Sequence, residues 1–273
     1  MKEVDFEILL STMFRENLDF LNPMFKNNSL KNIAILIVNQ TTEDKILTSN
    51  SSNIRVINSF EKGSPNSRNL AIKNAVGDIC LMADDDVEYL EDFAQIVLNA
   101  YKKNKDADVI TFEALNKNGD KYMSYPKYGY HTKESLFQVN NIGISFKRAS
   151  VQGNSVLYSP FFGVGALFPG CTEYVFLRNA KDKGLNMMHV DKPLSIHRNI
   201  SSGKKQGSDN AIFARTALRY RYFKWFSLPW LLNYLRFILS RGYITRGELR
   251  YKFFVGIKAI KIYRKLEKEG KMI

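Results

Sequence analysis

Several residue types and patterns are scarce here, and each scarcity excludes something. Cysteine occurs twice in 273 residues, as Cys80 and Cys171, which excludes a disulfide scaffold and a thiolate zinc cage. Cys80 lies inside an apolar run and reads as a buried thiol, in keeping with a reducing compartment. The opening stretch "MKEVDFEILLSTM" is acidic and lacks the charged-then-apolar layout of a secretory signal, so a cytoplasmic location is expected. No G-x-x-x-x-G-K-[ST] element occurs, and "GVGALF" (163–168) lacks the third glycine of a dinucleotide fingerprint. There is no internal repeat and no low-complexity segment. Acidic residues are nearly missing from the last quarter. Residues 198–273 carry 18 Lys/Arg against 4 Asp/Glu, a balance of +14, whereas residues 1–197 carry 22 against 23 and sum to −1.

What is present is the composition of a folded protein, 45% hydrophobic, long enough for one large domain with an appendage. In the first half, apolar runs alternate with amphipathic stretches. "FEILLSTM" (6–13) predicts a strand, followed by a helix through Leu18, Leu21 and Phe25. "NIAILIVNQ" (32–40) has the look of a strand buried on both faces, and "IRVIN" (54–58) that of a third. "GSPNSRNLAIKNAVGD" (63–78) predicts a helix with Ser64 as N-cap, Pro65 at its first position and Gly77 closing it. "ICLMA" (79–83) begins the next strand. Leu90, Phe93, Ala94, Val97, Leu98 and Tyr101 then lie on one face of a helix, and "ADVITF" (107–112) is a further strand. "IGISFKR" (142–148) and "LNMMHVDKPLSIH" (185–197) follow as strand segments in a looser region. This alternation predicts an α/β domain with a mostly parallel sheet flanked by helices over 1–210. A boundary is expected near "NISSGKKQGSDN" (199–210) and a helical, basic extension over 211–273.

Ligands of such sheets bind at the carboxyl ends of the strands. There the run "ICLMADDDV" ends in Asp84, Asp85 and Asp86, three like charges that repel unless a cation sits against them. Two carboxylates one residue apart, Asp84 and Asp86, point the same way on a strand and can hold a hard divalent ion while leaving positions for phosphate oxygens. A solvated turn is the simpler alternative. The helix start at "KGSPNSRN" (62–69), with Arg68 in its first turn, favours an anion and would complete a diphosphate cradle.

Taken in order, the "ILLST" strand, the "VNQTTED" loop, "EKGSPNSRNLAIKNAVGD", "ICLMADDDV" and a later Gly-rich loop before an acidic residue resemble the family 2 glycosyltransferases of the GT-A fold, especially bacterial enzymes that build surface polysaccharides. The resemblance covers about residues 4–200 and is most specific over 62–92. It implies a nucleotide-sugar donor, an Asp-x-Asp element binding Mn²⁺ or Mg²⁺, and a carboxylate base for inverting transfer to a saccharide or lipid-linked acceptor. Asp84, Asp85 and Asp86 match the Asp-x-Asp region. Asn39 and Gln40 match the loop that contacts the nucleobase, Arg68 and Asn69 the stretch beneath the diphosphate, and Thr12 at the end of the first strand joins the donor-binding set. The family's Gly-Glu-Asp or Gly-Glu-Glu triplet corresponds to Cys171, Thr172 and Glu173, so Glu173 is the implied base. "FFGVGALFPG" (161–170) resembles the loop that shapes the acceptor pocket. His197 matches a metal- or phosphate-binding histidine of several relatives, while His189, inside an apolar strand, reads as structural. Two rivals stay open: a nucleotidyltransferase releasing pyrophosphate, and a degenerate, membrane-bound partner subunit, suggested by the missing Gly-Glu pair.

The basic tail needs its own account. "FKWFSLPWLLNYLRFILS" (223–240) is apolar apart from an arc of Asn233, Arg236 and Ser240, which suits an in-plane or core helix better than a membrane span. Beyond it Val255, Ala259, Ile262 and Leu266 form a predicted stripe opposite Lys258, Lys261, Lys265 and Lys268. A solvated appendage, a nucleic-acid contact and attachment to an anionic membrane surface all compete. Wide apolar arcs beside cations favour the membrane over nucleic acid, placing the protein peripherally at the inner face of the cell membrane.

Overall fold

The computed structural model describes residues 5–197 and 206–272. The boundary expected at 199–210 therefore lies outside the described residues up to 205. Two compact units divide the described chain, 5–159 with 173–197 and 160–172 with 206–272.

The first unit is built on one mixed sheet. Its strands are β1 (Phe6–Met13), β2 (Ala34–Gln40), β3 (Ile54–Ser59), β4 (Ile79–Asp84), β5 (Val87–Tyr89), β6 (Val109–Leu115), β7 (Gly129–Tyr130), β8 (Ile144–Lys147) and β9 (Met187–His197). They lie in the order β3-β2-β1-β4-β8-β6-β9-β5, with β7 pairing β9. β3, β2, β1 and β4 run parallel, and β8 enters antiparallel to both β4 and β6. The central residues of β1, β2 and β4 are buried on both faces, because helices cover a parallel sheet on each side. Register does the positioning. Thr12 lies beside Asn39, Ser11 beside Asp84, and Asn39 beside Asn58. The carboxyl ends of four strands thus form one polar edge above an apolar sheet.

Helices α1 (Leu21–Met24), α2 (Ser64–Asn74), α3 (Phe93–Lys103), α4 (Arg148–Gly153) and α5 (Thr172–Asp182) fill the connections. Three sequence expectations fail locally. The helix expected through Leu18 and Phe25 is a single turn, because the side chains of Asn27 and Asn28 donate to the carbonyls of Tyr89 and Leu90 and draw the chain off along β5. The N-cap of α2 is Gly63, not Ser64. At φ 116° this backbone favours glycine, its N–H donates to Gln40 Oε1 at 2.7 Å, and the Ser64 hydroxyl is buried without a hydrogen-bond partner. Gly77 does not close α2, which ends at Asn74. Gly77 instead gives its N–H to the buried Glu7 carboxylate at 3.0 Å, which also takes the Val76 N–H at 2.7 Å and Arg55 at 2.7 Å. A Cβ at residue 77 would lie 2.5 Å from that of Glu7.

The second unit is helical: α6 (Asp209–Phe223), α7 (Ser227–Ser240) and α8 (Leu249–Lys268). Ile212, Leu231, Tyr234, Leu235, Ile238 and Ile244 form its apolar centre. Asp209 ties α6 to α8, accepting from Lys252 Nζ at 2.8 Å and the Tyr251 hydroxyl at 2.6 Å. The expected arc of Asn233, Arg236 and Ser240 is exposed. The inward stripe of α8 is turned by part of a residue step from the expected one. It comprises Lys252, Gly256, Ala259, Ile260 and Tyr263, because Gly256 lets α8 close onto Leu231, whose Cδ2 would stand 2.5 Å from any Cβ there. Among the described residues no helix is long and apolar enough to cross a membrane.

Candidate functional site

β4 stops at Asp84, so Asp85 and Asp86 occupy the turn before β5 and strand alternation does not govern them. Each aspartate of the triplet consequently meets a different partner, and this is how three adjacent carboxylates coexist. Asp84 accepts from Arg68 Nη2 at 3.1 Å and from Asn141 Nδ2 at 3.2 Å. Asp85 accepts from Thr12 Oγ1 at 2.5 Å and from Arg15 through Nη2 at 2.7 Å and Nε at 3.0 Å. Asp86 Oδ1 lies 3.5 Å from His197 Nε2, and the His197 ring sits 4.7 Å from that of Tyr122.

Arg68 is the hub. It lies in the second turn of α2 rather than the first, since the helix begins at Ser64, one residue earlier than the expected start at Pro65. Its Nη1 reaches Glu173 Oε1 at 3.5 Å across 105 residues of sequence, and its guanidinium lies 5.6 Å from the centre of the Tyr158 ring. The residue is 7% exposed. Burial opposes its charge, but Asp84 first and Glu173 next outweigh that and hold the Arg68 pKa above its ordinary value. Glu173 stands in the first turn of α5, where a negative charge also complements the helix dipole. Asn69, next to Arg68, fastens this arrangement from behind. Its Nδ2 donates to the Tyr158 carbonyl at 2.9 Å and its Oδ1 accepts the Tyr158 N–H at 2.7 Å, while the Tyr158 hydroxyl donates to Asn141 Oδ1 at 2.9 Å.

Asn39 and Gln40 turn inward. Asn39 exchanges hydrogen bonds with the Arg15 backbone at 3.0 and 2.9 Å and donates to Asn58 Oδ1 at 3.1 Å. Gln40 holds Gly63 and Ser67. Both therefore shape the loops at the sheet edge. The α2 N-terminus is largely satisfied within itself: Asn66 and Ser67 donate to the Gly63 carbonyl, and Pro65 has no N–H.

The acidic triplet, Thr12, Arg68, Asn69, Glu173 and His197 were expected as site residues from the sequence. Arg15, Asn141 and Tyr158 were not. Arg15 had a usable signal, a cation two residues past the carboxyl end of β1. Asn141 and Tyr158 lie in irregular segments and offered none. Among the described residues no three His, Cys, Asp or Glu side chains converge as a ready-made metal cage. The donor set at Asp86 and His197, one carboxylate and one imidazole, suits a first-row divalent ion that completes its shell from a ligand.

Arg68, Asn69, the acidic triplet, Asn141 and Tyr158 lie in a stretch that known proteins share. The family described as Glycosyl transferase family 2 matches residues 16–162. Among solved structures, residues 1–349 of S. aureus TarS in complex with UDP-GlcNAc superpose with a TM-score of 0.56 at 13% identity, covering 98% of this chain and 93% of that one. The same TarS fragment in complex with UDP gives 0.55 at 13% identity over 98% and 92%, and a further structure of TarS 1–349 gives 0.53 at 14% over 98% and 92%. At these identities the likeness is one of fold, and that fold is the α/β, GT-A-like architecture. No curated protein matches the chain in sequence. Because the family match spans more than half of the 273 residues and contains the acidic strand end, the chain belongs to glycosyl transferase family 2.

Proposed function

We propose that this glycosyltransferase moves a sugar from a nucleoside-diphosphate donor to a saccharide or lipid-linked acceptor, with inversion and with a divalent ion, Mn²⁺ or Mg²⁺, at the acidic strand end. The observation that carries the reading is the Arg68 guanidinium, which reaches Asp84 at 3.1 Å and Glu173 at 3.5 Å. It joins the carboxylate cluster and the candidate base in one small space. The UDP-GlcNAc bound by TarS supports a uridine diphosphate sugar as the first donor to test.

In this reading Asp86 and His197 would hold the ion, whose positive charge would offset that of the departing diphosphate. Asp84 keeps Arg68 and Asn141 oriented, and Asp85 fixes Arg15 at the end of β1. Glu173 accepts the proton of the acceptor hydroxyl as its oxygen attacks the anomeric carbon. The carbon–oxygen bond to the diphosphate breaks, and the nucleoside diphosphate leaves. Arg68 holds the Glu173 carboxylate in place for that transfer.

Glu173→Gln tests the scheme, since it keeps the side chain's size and removes its basicity. Sugar transfer should fall by about 10²–10⁴-fold, with donor affinity and melting temperature retained. Undiminished transfer would remove Glu173 from the mechanism.

A further inference from the structure

The second unit carries a surface that the transfer reaction does not use. α6 ends at Phe223, the φ of 50° at the following Lys224 turns the chain sharply, and the next two residues stand outward. Trp225 is 57% and Phe226 77% exposed. Beside them the last turns of α8 present an open basic face of Lys261, Arg264, Lys265 and Lys268, with Glu269 at its end. The aromatic turn and the basic face are continuous, because the Arg264 guanidinium lies 4.6 Å from the centre of the Trp225 ring. Among the described residues neither Lys261 nor Lys268 has a carboxylate within ion-pair distance, and Lys265 has only Glu269, at 3.9 Å.

We infer that this surface docks on an anionic phospholipid leaflet, with Phe226 and Trp225 entering the interface and the four cations meeting headgroup phosphates. The chemistry is specific in two ways. A side chain as exposed as Phe226 gains by leaving water, which an acidic protein patch or a double helix does not offer it, whereas the headgroup–acyl boundary does. A row of cations on one helical face gains about fivefold in binding for each charge near an anionic leaflet, and salt screens this gain. Without a membrane-crossing helix among the described residues, such attachment is peripheral and reversible. The inference is independent of the proposed reaction, because it rests on the helical unit alone.

Flotation of the full chain with vesicles tests it. The probes are phosphatidylcholine vesicles, mixed phosphatidylcholine–phosphatidylglycerol vesicles, and a single-stranded oligonucleotide in parallel. The account expects binding to the mixed vesicles, weak binding to phosphatidylcholine alone, and release by salt. The triple variant Lys261→Gln/Lys265→Gln/Lys268→Gln should bind on the order of a hundredfold more weakly. Phe226→Ala, at a position too exposed to hold the fold, should bind several-fold more weakly at every salt concentration. Unchanged circular dichroism in both variants would assign the losses to the surface. Equal binding to both kinds of vesicle, undiminished binding by the triple variant, or binding to the oligonucleotide but to no vesicle would each overturn the proposal.

Discussion

His131 should make this protein lose stability as the pH falls from neutrality, by an amount the structure sets. Its ring is 4% exposed. Nε2 lies 2.8 Å from the Thr111 hydroxyl and Nδ1 2.9 Å from that of Ser135, while Thr111 also meets His189 Nδ1 at 2.9 Å. Burial first, then the charges of His189 and Lys181, push the His131 pKa from 6.5 down to about 4. A lowered folded-state pKa means that the unfolded chain takes up the proton more readily. Stability is therefore complete above the unfolded value of 6.5, declines as pH falls, and stops declining from this source below the folded value of about 4. The linkage relation gives a loss of about 2 kcal/mol between pH 7 and pH 5. Other groups titrate in that window, so the comparison is with His131→Gln, which cannot take up the proton. In urea unfolding, the stability advantage of the native protein over that variant should shrink by about 2 kcal/mol from pH 7 to pH 5. His189, also pushed down chiefly by burial, adds in the same direction. A difference that stays constant with pH would refute the reasoning.

Other substitutions separate fold from site. Arg68→Lys keeps a charge but cannot span Asp84 and Glu173 together, so transfer should fall at least tenfold while the melting temperature changes little; equal activity would show that the bridging geometry is idle. Gly77→Ala forces a Cβ to 2.5 Å from that of Glu7 and 2.8 Å from its amide nitrogen. It should cost about 1–3 kcal/mol in chemical denaturation with no specific effect on turnover of the folded fraction, and a neutral result would contradict the packing described for β1.

Much of this was legible because burial and chemistry coincide with sequence position along β1, β2 and β4. Runs such as "AILIV" leave a parallel strand little alternative, and the polar residues that end them mark the edge where ligands bind. The triplet at 84–86 was legible for the same reason. Its division of labour was not, because that depends on where the strand stops, and β4 stops at Asp84. Arg15, Asn141 and Tyr158 reach the site from irregular segments, whose course is set by individual side-chain hydrogen bonds rather than by any periodicity. The His131–Thr111–His189 cluster joins residues 20 and 78 positions apart, a pairing that only the register of β6, β7 and β9 creates. For α8 the sequence pattern located the helix, and a glycine contact with Leu231 decided which face turns inward.

The central claim is that the acidic end of β4 holds a divalent ion against a donor's phosphates, and isothermal titration of Mn²⁺ with UDP present measures it directly. The account predicts saturable uptake by the native protein that is abolished in Asp86→Asn and sharply weakened in His197→Gln. Absence of uptake with or without nucleotide, or uptake indifferent to both substitutions, would contradict it.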